Sequence, residues 1–370
     1  MENLPIVHVI NGRQKKLLQG HPWVYGNEIE RVEGEIEDGG LATVVDFRGR
    51  YMGTGFYNSK SLITVRLLTH RQEEITDALI AARVKAACDY RRFVMSRPGT
   101  DSCRLIYGEA DRLPGVIADA LLACEKPDCL LLQNDDAIRR KEGMECFTRV
   151  LYGTLPEENI IHENGVKLAV DVLGGQKTGY FLDQKDNHLF VRQFCKDARV
   201  LDCFSYIGAF ALNAAAAGAK DVTAVDISEA AVQLIEKNAA LNGAEITAVC
   251  ANCFDYLRAQ VKVGEKYDVV VLDPPAFTKA HANMASACRG YKEIALSAMR
   301  LLPAGGVLAT HSCSYHMPEE VFVNTVLSAA QDLHRQVRII TLRRQDIDHP
   351  VLAGYPESHY LKSLWLQMLD

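Results

Sequence analysis

Residues Arg199 to Ile227 read RVLDCFSYIGAFALNAAAAGAKDVTAVDI. An apolar run, RVLDCF, is followed by a short loop around Ser205 and Gly208. The alanine-rich GAFALNAAAAG then closes at Gly218, and a second apolar run, DVTAVDI, begins. Short β-rich runs on either side of an apolar stretch with helical spacing predict strand, helix, strand. The text continues in the same rhythm. SEAAVQLIEKNAALNG has Ser228 as N-cap and Gly243 as stop, and EITAVCA, YDVVVLDPP and GGVLATHSCS supply three more strands. Apolar strands alternating with helices predict an α/β fold with a mostly parallel, doubly wound sheet covered on both faces. Ligands of such sheets bind at the carboxyl ends of the strands, where the loops quoted below lie.

The first strand ends at Asp202 and the helix after it begins at Gly208, with Phe204 and Ser205 in the loop between. The G-x-G-x-x-G fingerprint is absent, which argues against a pyrophosphate on the helix terminus. Asp226 ends the second strand, with Ile227 beside it. A carboxylate there can accept both hydroxyls of a ribose, and it can equally be a local turn partner ahead of the Ser228 cap. Taken with the loop, it points to a nucleoside cofactor without pyrophosphate, S-adenosylmethionine. Asn252 or Cys253, after the third strand, would then face the adenine, the Asn252 amide hydrogen-bonding the exocyclic amine.

The fourth strand runs into Asp273, Pro274, Pro275, Ala276 and Phe277. Two prolines fix φ and remove two N–H donors, so carbonyls and an acidic side chain face the ligand, with an aromatic ring near enough to stack on a base. A rigid strand-to-loop turn is the alternative reading. The fifth strand ends in HSCSYH, His311 to His316. Cys313 is either a small core filler or a nucleophile. A thiol beside a nucleoside pocket suits methylation of a pyrimidine at carbon 5, because that carbon becomes nucleophilic only after a thiolate adds at carbon 6. Asp273 is then the group that assists at the ring, and His311 and His316 are candidates for tuning the thiol.

The remaining text sets bounds. With 370 residues the chain is long enough for two or three domains, and 48% hydrophobic with 24% charged residues is ordinary for a globular protein. No secretory pattern opens it and no run is long and apolar enough to span a bilayer, so a cytoplasmic protein with no membrane partner is expected. Eleven cysteines, several in apolar runs, suit reduced thiols. The C-x-x-C of Cys250 and Cys253 lacks further ligands, so no metal is expected. A net charge of −6 leaves nucleic acid open, since a local basic face is enough. The clusters Arg83 to Arg97 and Ile138 to Lys141 are read either as solvated helix faces or as phosphate contacts. Residues 1–71 read as a small β-barrel, 72–175 as an α+β middle domain and 176–370 as the doubly wound domain. A helix over EEITDALIAARVKAACDYRRFVM is expected to bury Ile75, Leu79, Ala82 and Ala86.

Taken in order, GHPWVYGNEI, GFYNSKSLITVRLL, DSCRLIYGEADRLPGVIAD, RKEGM, GQKTGYFLDQKDN, LDCFSYIGAFAL, LDPPAF, CRGYKEI, SCS and HPVLAGYPESHYLK resemble the ribosomal RNA large subunit methyltransferase I family. The resemblance covers nearly the whole chain. It implies an RNA-binding PUA domain at the N-terminus, a middle domain and a Rossmann-like class I methyltransferase domain. The activity implied is S-adenosylmethionine-dependent formation of 5-methylcytosine in 23S rRNA, by a homodimer. It further implies that Cys313 is the nucleophile and that Asp273 assists at the base. The segment Lys177 to Gln184 would close over the cofactor through Tyr180, Phe181 and Gln184, and the loop of Ser205 and Gly208, with Asp226, would hold its methionine and ribose portions.

The sequence departs from the family pattern in four places. The middle domain is shortened after GVIAD, Lys185 and His188 stand where arginines are usual, and Ala276 stands where lysine is common. The lost positive charge implies altered phosphate contacts without a change in methyl transfer. Two rivals use the same fold: an rRNA methyltransferase acting on a purine nitrogen, which needs no thiol, and a non-catalytic RNA-binding or ribosome-assembly protein.

Overall fold

The computed structural model describes residues 4–95, 97–114, 127–134, 137–175, 179–278 and 283–370. The chain divides into two compact units. One comprises Met1–Ser96, Arg104–Glu157 and Asp348–Ser358, the other Arg97–Cys103, Glu158–Ile347 and His359–Asp370. The segment 72–175 therefore contributes to both.

The first unit contains β1 (Ile6–Val9), α1 (Gln14–Leu18), β2 (Trp23–Tyr25), β3 (Ile29–Glu33), β4 (Leu41–Val45), β5 (Tyr51–Tyr57) and β6 (Ile63–Thr69). These strands form one six-stranded sheet in the order β2-β6-β5-β4-β1-β3, antiparallel except where β1 runs beside β4. Period-2 alternation turns Val7, Val9, Ala42, Val44, Val65 and Leu67 into a common core. At a register shift in the β5–β6 pair, a Cβ on Gly55 would lie 2.1 Å from the Arg66 carbonyl, so only glycine lets the two backbones approach.

Helix α2 (Asp77–Val94) starts where the Thr76 side chain accepts from the Leu79 N–H at 3.2 Å. Its buried face corrects the expected one: Ala82 and Ala86 are exposed, whereas Ile80, Arg83, Val84, Ala87, Cys88 and Arg91 are buried. Two arginines thus point inward. The Arg83 guanidinium donates to the carbonyls of Leu68 and Arg112, and Arg91 donates to the carbonyls of Arg104 and Asp348 and pairs with Asp111 at 2.7 Å. A buried guanidinium is tolerable when acceptors meet most of its donors, and these carbonyls together with Glu73 and Asp111 supply them. The outward residues Lys85 and Arg92 pair with Asp89 on the same helix. β7 (Cys129–Asn134) and β8 (Phe147–Gly153) form a separate antiparallel ribbon, with α3 (Ala137–Lys141) between them in sequence. GVIAD itself and the seven residues that follow it lie outside the described residues, as do residues 135–136.

The second unit opens with a hairpin, β9 (Asn159–Glu163) and β10 (Val166–Val170). Asn164 and Gly165 both have positive φ, the Asn-Gly turn that matches strand twist. Then follow α4 (Lys185–Val191), β11 (Arg199–Cys203), α5 (Ala209–Ala216), β12 (Asp221–Asp226), α6 (Glu229–Asn242), β13 (Thr247–Cys250), α7 (Cys253–Val263), β14 (Val269–Leu272), α8 (Met284–Leu301), β15 (Val307–Ser312), α9 (Glu319–Asp332), β16 (Val337–Arg343) and β17 (Lys362–Met368). The seven strands are ordered β13-β12-β11-β14-β15-β17-β16. β11 to β15 are parallel, as the alternating text predicts, and β17 lies antiparallel between β15 and β16. One face of the sheet packs on α8 and α9 through residues such as Tyr291, Ile294, Phe322 and Val326, the other on Val191, Phe210 and Ala214. The strand order reverses between β11 and β14, which sets their carboxyl ends at the switch point. No described helix is long and apolar enough to cross a membrane.

Candidate active site

A cavity of about 540 Å³ opens at the carboxyl ends of β11, β12, β14 and β15, within the second unit. Its floor is the loop from Phe204 to Gly208, where Phe204, Tyr206 and Gly208 all have positive φ. A left-handed non-glycine residue costs about 1–2 kcal/mol, so two of them in one loop need anchors. Ser205 provides one: its hydroxyl donates to the Asp202 carbonyl at 2.7 Å and accepts from the Val225 N–H at 3.0 Å. Asp226 provides another, one carboxylate oxygen accepting from the Tyr206 N–H and the other from the Ser228 N–H, each at 2.9 Å. Both readings of Asp226 therefore meet. It is a local turn partner, and each oxygen keeps a lone pair that can face the cavity it lines.

Asp202 and Gly208 are not among the lining residues; they shape the loop from behind. Gly208 is the N-cap of α5, and a Cβ there would sit 3.3 Å from Ile235. Asp202 is fully buried, with one oxygen accepting from the Ala211 N–H at 3.1 Å and Oδ1 without a partner among the described residues. Desolvation by burial, reinforced by the Asp273 carboxylate, pushes its carboxyl up to about 7.

The far wall carries Ile227, an apolar side chain 68% exposed, with Asn252, Cys253 and Phe254 beside it. The Asn252 oxygen caps α7 by accepting from the N–H groups of Phe254 and Asp255. What remains for a ligand is its Nδ2 donor, which suits a ring nitrogen and not the exocyclic amine expected from sequence. The Cys253 thiol accepts from the Phe204 N–H at 3.2 Å and donates to the Val225 carbonyl. Cys250 reaches the Ile227 carbonyl instead, so the C-x-x-C pair serves two separate backbone sites. Among the described residues no cluster could hold a metal ion.

The segment Gly179 to Gln184 closes one side; Lys177, expected at its start, lies outside the described residues. Tyr180 is buried with its hydroxyl on Glu163 at 2.7 Å, and Phe181 meets the Tyr206 ring edge-on at 5.3 Å. Gln184 donates to Asp273 at 3.1 Å and accepts from Asn187 at 2.7 Å, which fixes the carboxylate of the Asp-Pro-Pro turn. Phe277 is held by Tyr291, 4.6 Å away between ring centres, and by Gly290, where a Cβ would fall 3.0 Å from it. Pro274 is buried and Pro275 exposed.

Cys313 is half-buried and lines the same cavity as Asp273, which follows the neighbouring strand. Its two flanking serines are clamps. Ser312 accepts from the Tyr291 hydroxyl at 2.9 Å, and Ser314 donates to the Thr278 carbonyl at 2.8 Å. The thiol is therefore presented from a fixed peptide at the end of β15.

Several expectations about charge need correcting. His311 is fully buried against Phe210 and Trp365, neither ring nitrogen has a partner among the described residues, and burial holds its pKa down to about 3. It stays neutral and forms no hydrogen bond with Cys313. His316 lies beside the Tyr315 ring. Lys185 and His188, read as weakened phosphate contacts, are both buried. The Lys185 ammonium donates to the Ser102 carbonyl at 3.1 Å. His188 pairs with Glu163 at 2.7 Å, and although burial opposes its charge, that carboxylate holds its pKa above the ordinary value. Phe254 and Leu361 line the cavity without having been singled out from sequence, and so does His188, which the sequence singled out only for phosphate contacts. For His188, on α4, the partner is a glutamate in the β9–β10 hairpin, a pairing no local pattern announces.

An exposed apolar side chain beside a carboxylate with free lone pairs, over an amide donor, fits the base and ribose of an adenosyl group. Residues 7–70 match the PUA-like domain family and residues 132–346 the S-adenosylmethionine-dependent methyltransferase family. The chain is 40% identical to ribosomal RNA large subunit methyltransferase I of Klebsiella pneumoniae (strain 342), with 97% of each chain covered. It is 39% identical to the protein of that name from Aeromonas salmonicida, with 97% and 98% covered. Among solved structures, a putative methyltransferase from Streptococcus mutans superimposes with a TM-score of 0.81 at 19% identity, over 98% of this chain and 99% of that one, which shows the shared fold. On these grounds the chain belongs to the ribosomal RNA large subunit methyltransferase I family.

Proposed function

We propose that the protein methylates carbon 5 of a cytosine in large-subunit (23S) ribosomal RNA, through a covalent bond between Cys313 and carbon 6 of the ring. The observation that carries the reading is the meeting of Cys313, Asp273 and the Asp226 loop around one cavity. A methylase of ring nitrogens uses the nitrogen lone pair and has no work for a clamped thiol.

S-adenosylmethionine, when bound, would supply an electrophilic methyl group. Asp226 would accept the ribose hydroxyls, the Asn252 Nδ2 would donate to a ring nitrogen, and Ile227 would cover one face of the adenine. Asp202 and Gly208 act on the cofactor through the loop they shape, with Phe204, Ser205 and Cys253 in its floor. Tyr180, Phe181 and Gln184 exclude water from the side. On the substrate side, the Cys313 thiolate adds to carbon 6 and pushes an electron pair onto carbon 5. Asp273, fixed by Gln184, hydrogen-bonds the ring edge where charge develops. Once carbon 5 is methylated, a water molecule acting as base takes its proton, the electron pair of that C–H bond forms the 5,6 double bond, and Cys313 leaves carbon 6 as the thiolate. Pro274, Pro275 and Phe277 form the surface on which the base is held.

The PUA-like segment supplies RNA contacts in this reading, with functional regions at 1–71, 72–175 and 176–370, and the protein acts as a cytoplasmic homodimer, a state that sedimentation at micromolar concentration reads directly. The decisive test is mass spectrometry of nucleosides from unmodified 23S rRNA after incubation with protein and labelled cofactor. Label in 5-methylcytidine is expected, and label confined to a methylated purine would overturn the reading. Cys313→Ser is expected to abolish turnover while cofactor affinity stays within about twofold.

A further inference from the structure

We propose that Lys362 is the cation that holds Cys313 as a thiolate, a positioning role that rests on the proposed adduct chemistry. The register of the sheet puts Lys362 there: in the antiparallel β15–β17 pair it is the partner of Ser312, the last residue before the thiol. Its side chain is 3% exposed, and its ammonium donates to the Ser314 carbonyl at 2.6 Å, the residue just after the thiol. That is its one hydrogen bond among the described residues, so two N–H donors of a buried ammonium are left over. An anion is the partner such donors need, and the side chain between Ser312 and Ser314 is Cys313.

The charged and titratable groups around this pair come from every neighbouring element. Lys362 feels Cys313 and, from α9, Glu319. His359 feels Lys362, Arg344 and Glu319, and burial lowers its pKa. From α8, the Tyr291 phenol feels Cys313 and Asp273, and burial holds it protonated. Asp273 opposes a second negative charge in the cavity, and His311 stays neutral. Burial brings the Lys362 ammonium down to about 8, so it remains charged at neutral pH. The thiol proton leaves to solvent, and Lys362 keeps its own.

The test is the pH profile of iodoacetamide alkylation at Cys313, followed peptide by peptide in the full-length protein. The wild-type midpoint is expected below the ordinary thiol value of about 8.5. In Lys362→Met it should rise by roughly one unit, an approximately tenfold slower reaction below the midpoint, whereas Lys362→Arg should stay close to wild type. An ordinary wild-type midpoint overturns the proposal without any variant. So does an unchanged midpoint in Lys362→Met that still binds cofactor. Because alkylation needs no RNA, a raised midpoint supports the role of Lys362 even where the methylated nucleoside is not 5-methylcytidine.

Discussion

Replacing Asp202 by asparagine should make the protein more stable at alkaline pH, although the side chain sits under the cofactor loop. In the folded chain the carboxyl is raised from 3.8 to about 7, chiefly by burial. Between those values the folded state holds a proton that the unfolded chain has released. Its contribution to stability is therefore complete below about pH 3.8 and is lost as pH rises through about 7. Three units at about 1.4 kcal/mol each put the full effect on the order of 4 kcal/mol, and roughly 3 kcal/mol of it falls between about pH 5 and about pH 8.5. Asparagine has the same shape, can still accept from Ala211, and does not ionise. For a unit of this size 1 kcal/mol moves a melting temperature by about 2–4 °C, so the variant should gain roughly 5–10 °C on wild type across that pH range. Calorimetric melts of both proteins without cofactor, at several pH values, read this directly. A difference that stays constant with pH would refute the claim that an ionising, desolvated carboxylate lies behind the loop.

Two further substitutions test packing. Gly208→Val puts a β-branched residue at φ 84° against Ile235, and urea unfolding should show a loss of about 2 kcal/mol or more; an unchanged midpoint would mean the loop relaxes freely. Arg91→Met removes the guanidinium that faces Asp111 and two carbonyls, and a loss of roughly 3–5 kcal/mol in chemical denaturation of the first unit is expected, against under 1 kcal/mol for the exposed Arg92→Met.

What was legible in the sequence was local. Strand, helix and strand over Arg199 to Ile227, the Ser228 cap and the Asp-Pro-Pro turn are all set within a few residues, and the parallel sheet follows from their alternation. The meeting of Cys313 and Asp273 in one cavity follows in turn from adjacent strands. Charged residues with distant partners were misread. Arg83 and Arg91 resemble a solvated or phosphate-binding face until the carbonyls and Asp111 that fill their donors are known. Lys185 and His188 likewise need Ser102 and Glu163, and Lys362, which drew no reading from the sequence, needs Ser314. A buried cation and a surface cation have the same letter in a sequence; only the tertiary partner separates them.

The antiparallel β17 between β15 and β16 makes the timing of folding part of the enzyme's construction. During vectorial synthesis β15 can dock on β14 at once, but its other edge stays bare until Ser312 meets Lys362, after α9 and β16 have emerged. Until then the strand that ends in the thiol is an open edge, competent to pair wrongly. The same late strand brings in Leu364, Trp365 and Leu366, all fully buried, together with the lysine proposed to charge the thiol. The edge of β15 and the surroundings of its terminal thiol are thus completed together, by one late segment.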